Sequence, residues 1–132
     1  MIPRIRSTRA QDAYARLRAA TDAQGRRLDI IRVPVPSVPL TLASDESAGV
    51  TTVAGTAPRV AGQRLAASYI NFLIINGAVV VPTFDDPNDH VALAILAEQF
   101  PHHVIRAVPG REILLGGGNV HCITQQQPMG PG

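Results

Sequence analysis

Residues 68–82 have the sequence SYINFLIINGAVVVP, in which two apolar runs flank the pair Asn76-Gly77. An Asn-Gly pair between two apolar runs is among the strongest short-range signals for a β-hairpin. The stretch therefore predicts two antiparallel strands, over residues 68–75 and 78–81.

A helix and a third strand are predicted directly after this hairpin. Asp86 and Pro87 are residue types typical of a helix N-cap and of the first helical position. The β-branched run 104–108 indicates a strand, which Pro101 separates from the helix. Residues 68–108 thus predict a ββαβ unit, and the apolar face of its helix consists of Val91, Ala92, Ile95, Leu96 and Phe100.

The flanking segments resemble parts of similar units. Helical spacing predicts a helix over residues 9–23 that Gly25 closes, and residues 28–33 predict a strand after it. Residues 112–115 resemble the opening strand of a later unit. Residues 41–64 are small and polar with several glycines, so we expect a long surface loop that could meet a partner subunit. The element order indicates an α/β fold cut from a repeating ββαβ architecture.

Composition restricts the class of protein. The chain has 132 residues, 45% of them hydrophobic and 17% charged, which fits one small globular domain and excludes a disordered tail. The formal net charge is +2 and the arginines are spread along the chain, so we expect no nucleic-acid partner. No apolar run approaches the roughly 20 residues of a membrane span, and no apolar segment follows the N-terminal arginines as in a secretory signal. The default localisation is cytoplasmic.

Cys122 is the single cysteine, so we expect neither an intramolecular disulfide nor a cysteine-based metal cluster. It follows the glycines 116–118, which let the backbone approach a ligand or another strand closely. Asn119 tolerates left-handed backbone angles and could fix the turn. Cys122 would then lie just beyond a bend, where a nucleophile could face a cleft.

Other interpretations of this segment compete with a nucleophile. The glycines lack the Gly-Lys-Ser/Thr continuation of a phosphate-binding loop. A metal site at His121 and Cys122 is disfavoured because neighbouring residues of a strand point to opposite faces. The other histidines lack metal-site spacing, so no metal is expected. The pattern alone leaves open whether Cys122 is a nucleophile or a small buried core residue.

The run GGNVHCITQQQP, residues 117–128, resembles the nucleophile segment of agmatine deiminases, relatives of the bacterial peptidylarginine deiminases. The similarity continues upstream through AASYINF, NGAVVVP and FDDP, and it covers most of the chain from about Leu28. Asp85 departs from the family pattern, which commonly has glycine there, and this puts the local turn in doubt. The chain resembles only the C-terminal part of the family enzymes.

The resemblance implies a pentein fold, an α/β propeller of ββαβ blades around a central channel. Residues 1–132 would then be a C-terminal fragment of a pentein deiminase domain. It also implies hydrolysis of agmatine to N-carbamoylputrescine and ammonia, a step towards putrescine, without metal or organic cofactor. In that reaction the Cys122 thiolate adds to the guanidinium carbon, ammonia leaves, and water releases the covalent intermediate.

The candidate substrate-binding residues are Gly117, Gly118 and Asn119 beside the nucleophile and Asn71 in the first predicted strand. Asn71 could line the channel, and an ordinary polar residue at a strand end explains it equally well. In the resembling family, the catalytic histidine and the guanidinium-binding acids come from segments N-terminal to the matched region. His121 is expected to face away from Cys122, and Asp86 is better explained as an N-cap than as a guanidinium ligand. The chain alone is therefore expected to be inactive.

Two further expectations concern class and assembly. The alternative to an amidine hydrolase is a truncated, catalytically silent pentein fragment or binding module. A partial propeller leaves strand edges and apolar faces uncovered, so the isolated chain is expected to form homo-oligomers or to aggregate.

Overall fold

The computed structural model describes residues 8–128, which divide into two compact units between Val33 and Pro34. The first unit contains helix α1 (Thr8–Ala19), followed by a turn in which Gly25 adopts a φ of +77°. Asp22 stabilises this turn by accepting hydrogen bonds from the backbone N–H groups of Gln24 and Arg26, both at 2.9 Å.

Two predictions for this unit are wrong. The first helix ends at Ala19 instead of residue 23, because Thr21 and Arg27 form an isolated bridge that starts a tight turn. Gly25 serves that turn rather than the helix terminus. Residues 28–33 form no strand, since no other segment of the described chain pairs with them.

The second unit is an α/β arrangement whose elements are, in chain order, α2 (Ser44–Ala48), β1 (Leu73–Ile75), β2 (Ala78–Thr83), α3 (Asp89–Gln99), β3 (Val104–Pro109) and α4 (Arg111–Leu114). The strands form a three-stranded sheet of order β1-β2-β3. Strands β1 and β2 are antiparallel and β2 and β3 are parallel, with helix α3 crossing between them. The predicted ββαβ order is therefore confirmed.

The predicted hairpin turn is confirmed, with Ile75 paired to Ala78 across Asn76-Gly77. Gly77 has a φ of +76°, whereas Asn76 does not enter the positive-φ region. The turn needs glycine at its second position and is not the type in which both central residues are left-handed. Strand β1 is shorter than predicted, because the chain before it turns with the Asn71 N–H bonded to the Ser68 carbonyl at 3.3 Å.

The start of helix α3 differs from the prediction. Its N-cap residue is Asn88, so Pro87 precedes the helix and Asp86 does not cap it. The Asp86 carboxylate instead accepts hydrogen bonds from the backbone N–H and the hydroxyl of Ser37, both at 2.8 Å. Asp85, beside it, has a φ of +55°, a backbone angle that glycine adopts at lower cost.

Residues 112–115 also differ from the prediction, since they lie in or next to helix α4 instead of opening a strand. Arg111 at the start of α4 forms an ion pair with Glu46 of α2, through Nε and Nη2 at 2.9 Å each. Apart from α2 and an isolated bridge between Thr41 and Arg64, the segment 41–64 is the predicted loop.

The hydrophobic core of the second unit lies around β2 and α3. Val79 and Val81 are buried at alternate positions of β2, and Ala92 and Leu96 are buried four residues apart on α3. Further buried apolar side chains belong to the loops and to α4: Leu42, Leu65, Tyr69, Phe84, Leu114 and Val120. Within residues 8–128, no helix has both the length and the apolar character that a membrane span requires.

Candidate functional site

Cys122 lies in a turn at the end of a glycine-rich bend. Helix α4 ends at Leu114, and the N–H of Gly117 bonds to the Leu114 carbonyl at 2.9 Å. The Asn119 carbonyl then accepts the N–H of Cys122 at 2.8 Å and that of Ile123 at 3.2 Å. The segment is therefore a turn and not a strand. The expectation that His121 faces away from Cys122 assumed a strand, so its premise is wrong.

Gly117 and Gly118 have specific steric reasons to be glycine. Gly117 has a φ of +98°, which side-chain-bearing residues rarely adopt, and a Cβ there would also require the flexible Arg59 guanidinium to move. A Cβ at Gly118 would lie 2.9 Å from the Cys122 Sγ atom, closer than a carbon and a sulfur can approach without a shift. The bend thus places the backbone directly against the cysteine side chain.

Asn119 supports the turn from inside the protein. Its side chain is fully buried, with Nδ2 donating to the Gly110 carbonyl and Oδ1 accepting the Val120 N–H, each at 2.9 Å. Both ends of the amide are satisfied, as a buried polar group requires. The left-handed backbone angle expected for Asn119 is not found, so the side chain and not the φ angle fixes this turn.

Asn71 contacts the cysteine from the segment before β1. Its Nδ2 atom lies 3.2 Å from Cys122 Sγ, and its Oδ1 accepts the His121 N–H at 2.9 Å. The hydrogen bond from the Asn71 side chain lowers the pKa of Cys122, with a smaller contribution from the backbone of Asn119, although desolvation opposes the shift. A lower pKa increases the fraction of thiolate, which is the nucleophilic form of cysteine.

A surface depression of about 240 Å³ lies beside this pair, lined by Ser68, Ile70, Asn71 and His121. Cys122 is exposed, and the apolar side chains of Ile70 and Ile123 next to the pair are 64% and 66% exposed. Residues 8–128 contain no cluster of three or more histidine, cysteine or acidic side chains that could hold a metal.

The structure brings together four of the five residues proposed for the site from the sequence. Asn71, Gly118 and Asn119 all contact Cys122 or its turn, and Gly117 lies in the bend before it. Sequence reasoning missed the Arg59 guanidinium against Gly117. No motif in the sequence pointed to this contact, because Arg59 lies in the long loop 58 residues before Gly117.

Comparisons with known proteins agree with the sequence resemblance. The sequence profile of the Porphyromonas-type peptidyl-arginine deiminase family matches residues 4–128. The agmatine deiminase of Pseudomonas aeruginosa strain UCBPP-PA14 is 54% identical over 120 residues, which cover 91% of this chain and 32% of the relative. That of Ectopseudomonas mendocina is 52% identical over 124 residues, covering 94% of this chain and 33% of the relative.

Comparison with solved structures also finds similarity to an agmatine deiminase. The agmatine deiminase of Enterococcus faecalis superimposes with a TM-score of 0.85 at 44% identity, covering 92% of this chain and 33% of that protein. The chain thus spans about a third of the length of the relatives it matches. The profile match covers nearly the whole chain, and the chain therefore belongs to the Porphyromonas-type peptidyl-arginine deiminase family.

Proposed function

We propose that this chain carries the nucleophile-bearing part of an agmatine deiminase-type amidine hydrolase. The observation that carries the proposal is the exposed Cys122 thiol, set in a glycine bend with the Asn71 amide donating to its sulfur at 3.2 Å. The similarity to agmatine deiminases supports agmatine as substrate and a pentein-type propeller as the complete architecture. The reaction would belong to putrescine synthesis in the cytoplasm.

The proposed chemistry begins with the thiolate. A guanidinium carbon is a poor electrophile, so a strong nucleophile has to add to it. The sulfur electron pair forms the C–S bond, a general acid protonates one guanidine nitrogen, and the C–N bond breaks to release ammonia. Water then adds to the same carbon, the C–S bond breaks, and the products are N-carbamoylputrescine and free Cys122.

The chain's own residues have defined parts in this proposal. Gly117 and Gly118 allow the backbone to lie against the cysteine. The buried Asn119 side chain stabilises the turn by donating a hydrogen bond to the Gly110 carbonyl. Among the hydrogen bonds and ion pairs of residues 8–128, none brings a carboxylate to Cys122 or Asn71. By the resemblance to the family, in which these groups come from segments N-terminal to the matched region, we place the guanidinium-binding acids and the general acid–base histidine in such a segment.

The surroundings of the pair support completion by another surface. Ile70 and Ile123 are the sequence neighbours of Asn71 and Cys122 and are each about two thirds exposed, so they offer apolar surface next to the pair. A second copy of the chain or the rest of a longer protein would bury them. The alternative, a catalytically silent binding module, predicts no special reactivity of Cys122.

The test compares two alkylating reagents of similar size, a haloacetamidine and the corresponding haloacetamide, and reads the adduct by mass spectrometry. The chain has one cysteine, so every thiol adduct reports on Cys122, and the C122A variant is the blank. Rates are divided by those of free cysteine. We expect Cys122 to react somewhat faster with the amidine reagent. The preference should be small because the carboxylates that would bind the amidine group lie in another segment. Equal normalised rates would overturn the proposal that these residues belong to a guanidinium-recognising site.

A further inference from the structure

Asn71 is held on a rigid support next to the cysteine turn. Two residues earlier, the buried Tyr69 ring packs on Phe84 at 5.3 Å between centroids, and its hydroxyl donates to Asp89 Oδ1 at 2.7 Å. On the other side, the Phe72 ring packs edge-on against Phe100 at 5.7 Å. The backbone of Asn71 is therefore fixed by ring packing on both sides.

The orientation of the Asn71 amide follows from its partners. The backbone N–H of His121 can only donate, so the side-chain atom that it meets at 2.9 Å has to be the oxygen Oδ1. The atom that faces Cys122 Sγ at 3.2 Å is then the NH₂ group, which can only donate. The sulfur must act as the acceptor, and a thiolate is a far better acceptor than a thiol.

A neutral Cys122 thiol could instead donate a hydrogen bond to Asn71, but this bond would be weaker. As a donor, Sγ would have to reach Asn71 Oδ1, which lies at 3.7 Å. The longer distance means that the same amide favours the ionised cysteine over the protonated one. A hydrogen bond to the charged form lowers the pKa of an acidic group.

We propose that Asn71 is a positioning residue, whose amide donates a hydrogen bond to the Cys122 thiolate and fixes the sulfur in its attacking orientation. This inference rests on the proposed function of Cys122. It gives Asn71 a part that acts through the nucleophile, beside the expected contact with substrate. The amide uses one of its two N–H donors on Cys122 and one lone pair of its oxygen on His121.

Few titratable groups of the described chain lie near Asn71 and Cys122. The His121 imidazole lines the same depression as Asn71 and is the titratable side chain next to the pair. No charged side chain of residues 8–128 contributes to the lowered pKa of Cys122, which leaves hydrogen bonding as its cause. An H121Q background removes the imidazole titration and retains the backbone N–H, so that one ionisation remains to be measured.

The experiment measures the rate of Cys122 alkylation by iodoacetamide against pH in the 132-residue chain, as H121Q, H121Q/N71L and H121Q/N71D. N71D is isosteric and still accepts the His121 N–H, but it loses the donor and adds a negative charge. N71L loses the side-chain partner, while the Asn71 backbone carbonyl still accepts that N–H at 3.2 Å. We expect the pKa of Cys122 to rise in N71L and further in N71D, and a rise of one unit lowers the thiolate fraction about tenfold.

Circular dichroism and the unfolding midpoint verify that each variant is folded, so that a structural defect is separated from a titration effect. An unchanged pKa of Cys122 in the folded H121Q/N71L variant would overturn the inference, because the added charge of N71D raises that pKa by repulsion in any case. That result together with a retained amidine preference would leave the proposed function intact. Raised pKa values without any amidine preference would support the Asn71 hydrogen bond and contradict the proposed function.

Discussion

The buried Asn119 amide gives the sharpest stability prediction. The N119D substitution keeps the shape of the side chain and the acceptor for the Val120 N–H. It replaces the NH₂ group that donates to the Gly110 carbonyl at 2.9 Å with an oxygen. At neutral pH a carboxylate would then be buried with its charge facing a carbonyl, in a site where Asn119 has no exposure.

The loss of unfolding free energy in N119D can be estimated from the ionisation of its new carboxyl group. The substituted carboxyl group can donate to the Gly110 carbonyl only when it is protonated, so the folded state of N119D favours the neutral acid. Holding an acid of ordinary pKa about 3.9 protonated at pH 7 costs about 4 kcal/mol. Leaving the Gly110 carbonyl unsatisfied instead costs about 1–3 kcal/mol, before any charge burial. We expect N119D to lose about 2–4 kcal/mol of unfolding free energy at pH 7.

The pH dependence has a defined sign. The carboxyl pKa of N119D is raised in the folded state, so its stability is greatest below the unfolded pKa of about 4 and is lost as the pH rises through the folded pKa. Urea unfolding at pH 5 and pH 7.5 measures this. N76D is the matched control, because Asn76 is exposed in the hairpin turn, and it should change stability by less than about 0.5 kcal/mol. A loss for N119D no larger than for N76D, or one independent of pH, would refute this account of Asn119.

Three other substitutions or measurements test the same geometry. G118A should slow Cys122 alkylation and cost about 1–3 kcal/mol through overpacking, whereas G116A, whose Cβ would meet only the Ile113 carbonyl at 3.4 Å, should be tolerated; equal behaviour of the two would contradict this. D85V should cost about 1–2 kcal/mol in urea unfolding because of the positive φ, while D85G stays within about 1 kcal/mol of the parent; a D85V chain as stable as the parent would contradict it. The isolated chain should be oligomeric by light scattering at micromolar concentration, because edge strand β1 exposes Ile74 and Ile75, and a monodisperse monomer would contradict that.

Local signals predicted much of the fold. The Asn76-Gly77 pair marks the hairpin because Gly77 permits the positive φ of the turn and apolar runs flank the pair, and the run 104–108 forms a strand because it is rich in β-branched residues and lies beside β2. The segment 28–33 has a similar composition but forms no strand in the described chain. A strand requires a partner, and composition does not reveal whether one is present.

Long-range partners explain the other errors. Asp86 fits the N-cap pattern, but its hydrogen-bond partner Ser37 lies 49 residues earlier in the chain. Residues 112–115 are apolar enough for a strand, yet the Arg111–Glu46 ion pair anchors the start of a short helix there. Sequence patterns describe neighbours along the chain and contain no term for such contacts.

The site was predictable in its residues and not in its geometry. The motif around Cys122 identified the cysteine, the glycines and Asn119 by resemblance. The contact between Asn71 and Cys122 joins residues 51 positions apart, and only the packed structure shows that the amide donates to the sulfur. The burial of the Asn119 side chain could not be predicted either, because asparagine occurs both in exposed turns and, when hydrogen-bonded, in buried positions.

A chimera tests the central claim most directly. In it, the matching segment of the Pseudomonas aeruginosa agmatine deiminase, 54% identical over 120 residues, is replaced by the segment of this chain. Ammonia release from agmatine is measured for the chimera, for its C122A variant and for the 132-residue chain alone. We predict robust turnover by the chimera, none by the C122A chimera, and turnover near background for the chain alone, since general acid–base help is typically worth about 10²–10⁴-fold. A folded chimera without activity, or activity that survives C122A, would contradict the assignment of Cys122 as the nucleophile of an amidine hydrolase.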